Sequence, residues 1–126
     1  MPNTIKGISG QTLEAGSYTP TLANVANTSA RTAEACYYTR VGNLVTVSGS
    51  CQVDPIAGAT LTRITITLPI ASNLSSYLQL KGVAFGDTAQ GGTLYGDSTS
   101  DVAELAFVSV GTANLGINFI FTYEII

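Results

Sequence analysis

The last twelve residues of the chain, LGINFIFTYEII at positions 115–126, carry a large apolar side chain at every second position. These positions are Leu115, Ile117, Phe119, Phe121, Tyr123 and Ile125. A period of two is typical of a β-strand with one buried face, because successive side chains point to opposite sides. An exposed edge strand this apolar would recruit other chains. We therefore predict a strand in the middle of a sheet, with these six side chains in the core.

The opposite face of the same strand is also short of charge. Ile120 and Ile126 flank Thr122 where water would favour charged side chains. Two interpretations are open. Single apolar residues are common on protein surfaces, or this face packs against a second copy of the chain.

The composition favours one domain with a sparsely charged surface. The chain has 126 residues, enough for a single core, and only 10% are charged, well below the usual quarter. A β-rich fold with many threonines would explain this, and so would a surface buried in an assembly. The net charge of -3 argues against binding to phosphate backbones, so we do not expect nucleic acid as a partner.

A β-hairpin is predicted around Gly42 and Asn43, which join residues 31–41 to residues 44–54. Both turn residues tolerate positive φ, as tight two-residue turns require. The predicted core face carries Cys36, Tyr38, Val45, Val47, Gly49, Cys51 and Val53, and the other face includes Tyr37, Thr39 and Thr46.

Alternation and turn signals recur along the rest of the chain. Residues 61–68, 77–86 and 101–110 have strand character, and no segment has a helical period. We predict an all-β protein, an antiparallel two-sheet sandwich of about eight strands with jelly-roll topology. The domain is expected to span residues 17–126. Residues 1–16 show no sustained period, so they are either a frayed terminus or an arm that attaches the domain to something larger.

The residues offer little catalytic chemistry. The chain contains no histidine, no G-x-S-x-G elbow and no phosphate-binding loop, so we expect neither an enzyme nor a cofactor. Asp97 and Asp101 bracket a hydroxyl-rich loop that has the oxygen ligands calcium prefers. Loops are also rich in Asp, Ser and Thr because these residues stabilise turns, which is the alternative interpretation.

Three segments, GSYTPTL, YYTRVGNLVTVSG and ITITLPIASN, resemble the C-terminal β-domains of tail-fibre and head-fibre proteins of tailed bacteriophages. The resemblance covers residues 16–126. It implies a trimeric jelly roll like that of tumour-necrosis-factor-like proteins, serving as a fibre tip, spike or capsid decoration that binds a host surface or the particle. The three-fold axis would then be lined by Tyr37, Thr39, Thr46, Ile120, Thr122 and Ile126, and residues 1–16 would bind other virion proteins.

The expected location is the virion, after synthesis in the host cytoplasm. No apolar segment of a signal peptide follows Met1. No apolar run approaches the ~20 residues that would span a bilayer.

A second function class is a carbohydrate-binding β-sandwich module. Sugar sites use exposed aromatic rings, for which the candidates are Tyr18, Tyr77 and Tyr95, with Tyr37 as a further one. The absence of tryptophan weakens this interpretation.

The hairpin register predicts that Cys36 and Cys51 remain free thiols. They lie diagonally on neighbouring strands, roughly 7–8 Å apart, and a disulfide needs closer Cα atoms. We expect the unfolded, unreduced protein to take up two alkyl groups, measured by mass spectrometry. A mass two protons below that of the dithiol, with no alkylation, would show a bridge instead.

Overall fold

The structure, a computed structural model, describes residues 3–6, 12–88 and 90–126. These ranges contain eleven β-strands, a 3₁₀ turn at Tyr77–Gln79 and no α-helix. The strands are β1 (Asn3–Lys6), β2 (Thr12–Tyr18), β3 (Leu22–Ala26), β4 (Thr28–Ala33), β5 (Cys36–Val41), β6 (Leu44–Pro55), β7 (Leu61–Ile66), β8 (Leu80–Gly86), β9 (Gly91–Asp97), β10 (Val102–Val108) and β11 (Leu115–Glu124). The all-β prediction is confirmed. No helix in the described ranges is long and apolar enough to cross a membrane.

All the strand pairings are antiparallel and join the strands into one sheet. The order is β1-β2-β5-β6-β11-β8-β9-β10-β7-β3, and β4 lies beside β6. The twelve-residue strand β6 has two successive partners along one edge, because β5 pairs with its first half and β4 with its second half. As predicted, β11 is central, with β6 on one side and β8 on the other.

The sheet curls, so that strands near its opposite ends meet across one core. The Tyr18 hydroxyl at the end of β2 donates to the carbonyl of Thr67, just after β7, over 2.9 Å. Buried side chains from β5, β6, β7, β8, β9, β10 and β11 form a single cluster. The core therefore lies on the inner, concave side of the sheet.

The face assignments of β11 and of the β5–β6 hairpin are confirmed. Five of the six predicted core residues of β11 are buried, and Ile125 is half-buried against them. In the hairpin, Tyr38 pairs with Val47 and Val41 pairs with Leu44 around a turn whose Gly42 has φ 60°.

Both cysteines are free thiols with fully buried side chains, as predicted. Cys36 lies over Gly49, where an added Cβ would be 2.8 Å from the Cys36 Cβ. Burial, reinforced by the nearby Cys36, raises the pKa of Cys51 to about 12. Such thiols are poor nucleophiles at neutral pH, because only the thiolate attacks.

Aromatic rings of β11 cover the small residues of β8. Phe119, Phe121 and Tyr123 stack in sequence, with centroids 6.0 and 6.2 Å apart. Opposite Phe121 lies Gly82, where an added Cβ would be 2.6 Å from the Cβ of Phe121 and closer still to the carbonyl oxygen of Ile120. Glycine at this position is therefore required by the close approach of β11.

The strand count differs from the prediction of about eight, because the N-terminal third contains additional strands. Residues 22–33 form β3 and β4, separated by Asn27 with φ 63°. The amide of Asn27 donates to the Ala57 carbonyl (2.9 Å) and to the Thr62 hydroxyl (2.8 Å), which fixes this corner. Asparagine tolerates the left-handed region better than most other non-glycine residues, which allows Asn27 to join the two strands directly.

The predicted arm at residues 1–16 contributes to the sheet. β2 starts at Thr12 and pairs with β5, so it crosses the predicted boundary between residues 16 and 17. β1 pairs with β2. Residues 1, 2 and 7–11 lie outside the described residues, and the attachment role of the arm stays a prediction.

The packing at Gly82 predicts a large effect of one added methyl group. Gly82→Ala should lower the free energy of unfolding by about 1–3 kcal/mol, because the backbone of β11 must shift to accept it. Gly91→Ala is the matched control, since no atom lies within 4 Å of its added Cβ, and it should be neutral or slightly stabilising. Urea denaturation measures both, and equal stability of the two variants would contradict the close packing.

Candidate protein-binding face

Five strands present one row of side chains on the outer side of the sheet, away from the core. The row runs Tyr37 (β5), Ser48 (β6), Ile120 (β11), Val83 (β8) and Thr93 (β9), each directly opposite the next. The side chains of Tyr37, Ile120 and Val83 are 65%, 45% and 61% exposed. Large apolar surface is thus aligned across adjacent strands.

Two further rows flank this one. Towards the β5–β6 turn lie Thr39, Thr46 and Thr122, opposite one another, with Lys81 at the end of the row. Towards the other end lie Ser50, Asn118 and Phe85, and Phe85 is 60% exposed. We call the three rows together, from β5 to β9, the outer face.

Charged side chains lie at the borders of the outer face, except that the Glu34 carboxylate accepts a hydrogen bond from the Ser50 hydroxyl over 3.4 Å. Lys81 and Glu124 lie at the border near the β5–β6 turn, and Asp54 and Asp87 lie beyond the opposite border. The side chains between these borders are hydroxyl, amide, aliphatic or aromatic. A surface with exposed apolar residues and no central charge is typical of a protein interface core.

The structure brings together five of the six predicted axis residues. Tyr37, Thr39, Thr46, Ile120 and Thr122 belong to the outer face. Ile126 lies beyond the end of β11, where it is exposed and its N–H donates to the Ser72 carbonyl over 3.1 Å.

Val83 and Phe85 were not among the residues predicted for this face. In most strands the large apolar residues face the core, but β8 is different. Its inward-facing residues are Leu80 and the small Gly82, Ala84 and Gly86, whereas Val83 and Phe85 point outward. The sequence signal for this orientation is the pair Gly82 and Gly86. Residues four apart in a strand lie on the same face, and two glycines there indicate that other parts of the chain pack closely against that face.

The predicted sugar-contact tyrosines do not lie together. Tyr18 was predicted to be exposed, but it is partly buried against the core. Its ring packs edge-on against Tyr38, with the ring centroids 6.2 Å apart, and its hydroxyl donates to the Thr67 carbonyl. Tyr95 is half-buried and its hydroxyl donates to the Glu104 carboxylate. Tyr77, on the 3₁₀ turn, remains exposed.

A buried carboxylate lies beside Tyr95 on the outer side of the sheet. Glu104 is almost fully buried, and its Oε2 lies 3.6 Å from a guanidinium nitrogen of Arg63. Desolvation, followed by the hydrogen bond to Glu104, raises the pKa of Tyr95, while Arg63 partly opposes the shift. The raised pKa keeps the Tyr95 hydroxyl protonated, so it can donate to the Glu104 carboxylate.

The two carboxylates of the proposed calcium loop bind backbone amides instead of facing each other. Asp97 accepts N–H bonds from Thr99 (2.9 Å) and Ser100 (3.2 Å) within its own turn. Asp101, with φ 56°, accepts from Ser72, Asn73 and Leu74, each at 2.9 Å. Among the described side chains, no group of three or more metal-ligating residues occurs.

Asp101 anchors the loop that holds the end of β11. Ser72 donates its hydroxyl to the Glu124 carbonyl, so the loop connects Asp101 to the last strand. Partial burial raises the pKa of Asp101, but the three backbone N–H bonds outweigh it, so the net pKa is lowered from 3.8.

Asp101→Asn should therefore destabilise the fold in a pH-dependent way. We expect a loss of about 1–2 kcal/mol near pH 7, because one amide of residues 72–74 would face an NH₂ group. The pKa of Asp101 in the folded protein lies below its unfolded value of 3.8, so the ionised carboxylate stabilises the fold above pH 3.8. This stabilisation is lost as the pH falls through the folded-state pKa. Below that pH, the two proteins should therefore have similar stability. Thermal unfolding between pH 2 and 7 measures this. Asp97→Asn, which keeps its acceptor oxygen and the local turn, is the control, and a pH-independent difference would contradict the assignment.

No protein-family model, no curated protein and no solved structure matches the chain. The function is therefore inferred from the arrangement of the outer face together with the sequence resemblance.

Proposed function

We propose that this chain is a structural, non-enzymatic protein of a bacteriophage virion, acting as a homotrimeric fibre or spike tip or as a capsid decoration. It would attach the particle to a host surface, or attach itself to neighbouring virion proteins through residues 1–16. The observation that carries the proposal is the outer face across β5, β6, β11 and β8, which exposes large apolar side chains and has no charged residue in its central row. Left in water, a patch of this kind is an aggregation liability, whereas in an oligomer it is the interface.

The proposed topology is a two-layer jelly roll of the tumour-necrosis-factor type. The curl of the single sheet supports it, since side chains from strands far apart in the strand order share one core. The hydrogen bond from the Tyr18 hydroxyl to the Thr67 carbonyl connects the end of β2 to the residue just after β7. In such a domain, the outer surface of one layer contacts the neighbouring subunits and that of the other layer is free to bind other molecules.

Carbohydrate binding is the second candidate. One observation favours it: Tyr77 is 62% exposed and directly precedes Leu78, which lines a groove together with Gln79, Lys81 and Glu124. An exposed ring with polar neighbours suits a sugar. A glycan array tests it with Tyr77→Ala as the comparison: binding lost in the variant would support a sugar site there, and no binding by the wild type would reject it.

The trimer proposal predicts the effect of a charge at the centre of the outer face. Ile120→Asp should dissociate the assembly, because three carboxylates would meet near one axis and like charges a few ångströms apart are poorly tolerated. It also removes roughly 1.5–3 kcal/mol of apolar burial per chain. Light scattering should give about three times 13.0 kDa for the wild type and a smaller mass for the variant.

Val25→Asp is the matched control, since Val25 is a β-branched residue, 39% exposed, on β3 away from the outer face. It should leave the trimer intact, with circular dichroism showing that both variants keep the β-fold. A wild type that scatters as a monomer at micromolar concentration would reject the trimer. A trimeric Ile120→Asp would keep the trimer but reject the outer face as its contact.

A further inference from the structure

The two N-terminal strands are joined to the rest of the sheet along one edge. β1 pairs with β2, and residues 13–18 of β2 pair with β5. Within the described residues, neither strand pairs with any other part of the sheet. The central strands β6 and β11 differ, since each has neighbours along both edges. We call β1 and β2 together the N-terminal strap.

Apolar burial holds β2 in place only weakly. On its inner side, which it shares with the buried Cys36 and Tyr38 of β5, β2 carries Glu14, Gly16 and Tyr18. Tyr18 is the one large ring among these three, and no residue of β2 is fully buried. The Glu14 carboxylate accepts a hydrogen bond from the Tyr38 hydroxyl over 2.7 Å. Because hydrophobic stabilisation grows with the apolar area buried, β2 is held much less firmly than β11.

The chain is anchored again immediately after the strap. Pro20 is buried. The N–H of Thr21 donates to the Thr67 hydroxyl over 2.8 Å, and the N–H of Thr67 donates to the Thr21 carbonyl over 3.2 Å. A movement of the strap away from β5 would therefore end at Pro20 and leave β3 in its place.

The strap covers one of the two buried thiols. Tyr18 lies directly opposite Cys36 in the β2–β5 ladder. Burial, and to a smaller extent the nearby Cys36, raises the pKa of the Tyr18 hydroxyl, as expected when the ring lies close to the thiol. Cys51 is paired elsewhere, between Ala33 on β4 and Ile117 on β11. Removal of the strap would therefore uncover Cys36 and leave Cys51 covered.

We propose that the N-terminal strap opens as a unit while the rest of the sheet stays folded, and that each opening uncovers the Cys36 thiol and one edge of β5. Proteins open locally where few apolar side chains are buried. The open state loses the β2–β5 ladder and the hydrogen bonds of Glu14 and of the Tyr18 hydroxyl, but it keeps the aromatic core of β11. The fold thus contains a conformational device that does not depend on the oligomeric state: the position of the strap controls the access of solvent to a thiol and to a strand edge.

Alkylation of the native wild-type protein tests the proposal. The protein is treated with N-ethylmaleimide for increasing times, quenched and digested with trypsin, which cleaves after Arg40 and so separates Cys36 from Cys51. Mass spectrometry then gives the rate at each thiol. When closing is faster than alkylation, each rate follows the population of the state that exposes that thiol. We expect Cys36 to react at least about tenfold faster than Cys51, because local opening requires less free energy than global unfolding.

Urea distinguishes opening of the strap from unfolding of the whole domain. The effect of urea on an equilibrium scales with the surface that becomes exposed, and opening exposes far less surface than unfolding. Below the unfolding midpoint, the rate at Cys51 should therefore rise steeply with urea. The rate at Cys36 should rise only slightly until the two rates meet.

Gly82→Ala separates the two events in a second way. Gly82 packs against β11, in the part of the sheet that stays folded when the strap opens. The variant should raise the rate at Cys51 by about fivefold to a hundredfold, because it destabilises the core, and it should leave the rate at Cys36 unchanged. The urea dependence of the wild type decides the question by itself if this variant does not fold.

Glu14→Ala acts on the strap itself. The hydrogen bond between Glu14 and Tyr38 is lost on opening and also on unfolding, so this variant should raise the rates at both thiols by about fivefold to tenfold. Glu124→Ala, which removes an exposed carboxylate from β11, is the matched control and should change neither rate.

Two results would overturn the proposal. Equal rates at the two thiols, with the same urea dependence, would mean that both are exposed only by global unfolding. A fast reaction at Cys36 that Glu14→Ala does not accelerate would mean that the reagent reaches this thiol while the strap is closed. Hydrogen exchange gives an independent check: the amides of β2 should exchange through the same opening as Cys36, and protection equal to that of the β11 amides would contradict it.

Discussion

The packing of the β11 rings against β8 is the interaction on which the rest of the structure depends. Phe119, Phe121 and Tyr123 stack along one strand and fill the centre of the core. Phe121 and Phe119 lie opposite Gly82 and Ala84, the small inward-facing residues of β8. At Gly82 an added Cβ would be 2.6 Å from the Cβ of Phe121. Protein interiors are close-packed, so where one strand has large inward-facing side chains, the adjacent strand must have small ones.

The same packing explains the exposed surface of β8. Because β-strand side chains alternate, the inward orientation of Gly82, Ala84 and Gly86 places Val83 and Phe85 on the outer side. Val83 and Phe85 are therefore on the solvent side for a reason that originates in the core. The aromatic centre of the core and the exposed apolar side chains of β8 therefore both follow from the way β11 packs against β8.

Sequence reasoning succeeded where a single physical signal dominated. The alternation of residues 115–125 and the turn at Gly42 and Asn43 gave the right strand, face and register. Sequence reasoning assigned no face to residues 77–86, so Val83 and Phe85 were not predicted to be exposed, because the face of β8 depends on packing against β11, a strand distant in sequence. Tyr18 was misplaced for a similar reason, since its burial depends on the curl that brings it to Thr67.

The candidate axis residues were predictable in the same limited sense. Tyr37, Thr39 and Ile120 could be assigned to one face from local alternation, because β5 and β6 are joined by a tight turn and β11 alternates strictly. Their extension to β8 and β9 depends on strand order, which connects residues far apart in the chain. No local pattern specifies such long-range pairing.

The central position of β11 also determines when the domain can fold during synthesis. β6 and β8 are translated long before residues 115–124, yet each of them pairs with β11 along one full edge. Until that strand leaves the ribosome, both edges present unpaired backbone groups and exposed apolar side chains, the condition under which nascent β-proteins aggregate. Pairing between strands far apart in the sequence is intrinsically slow. The yield of native protein in a cell should therefore depend on how quickly β11 inserts between β6 and β8.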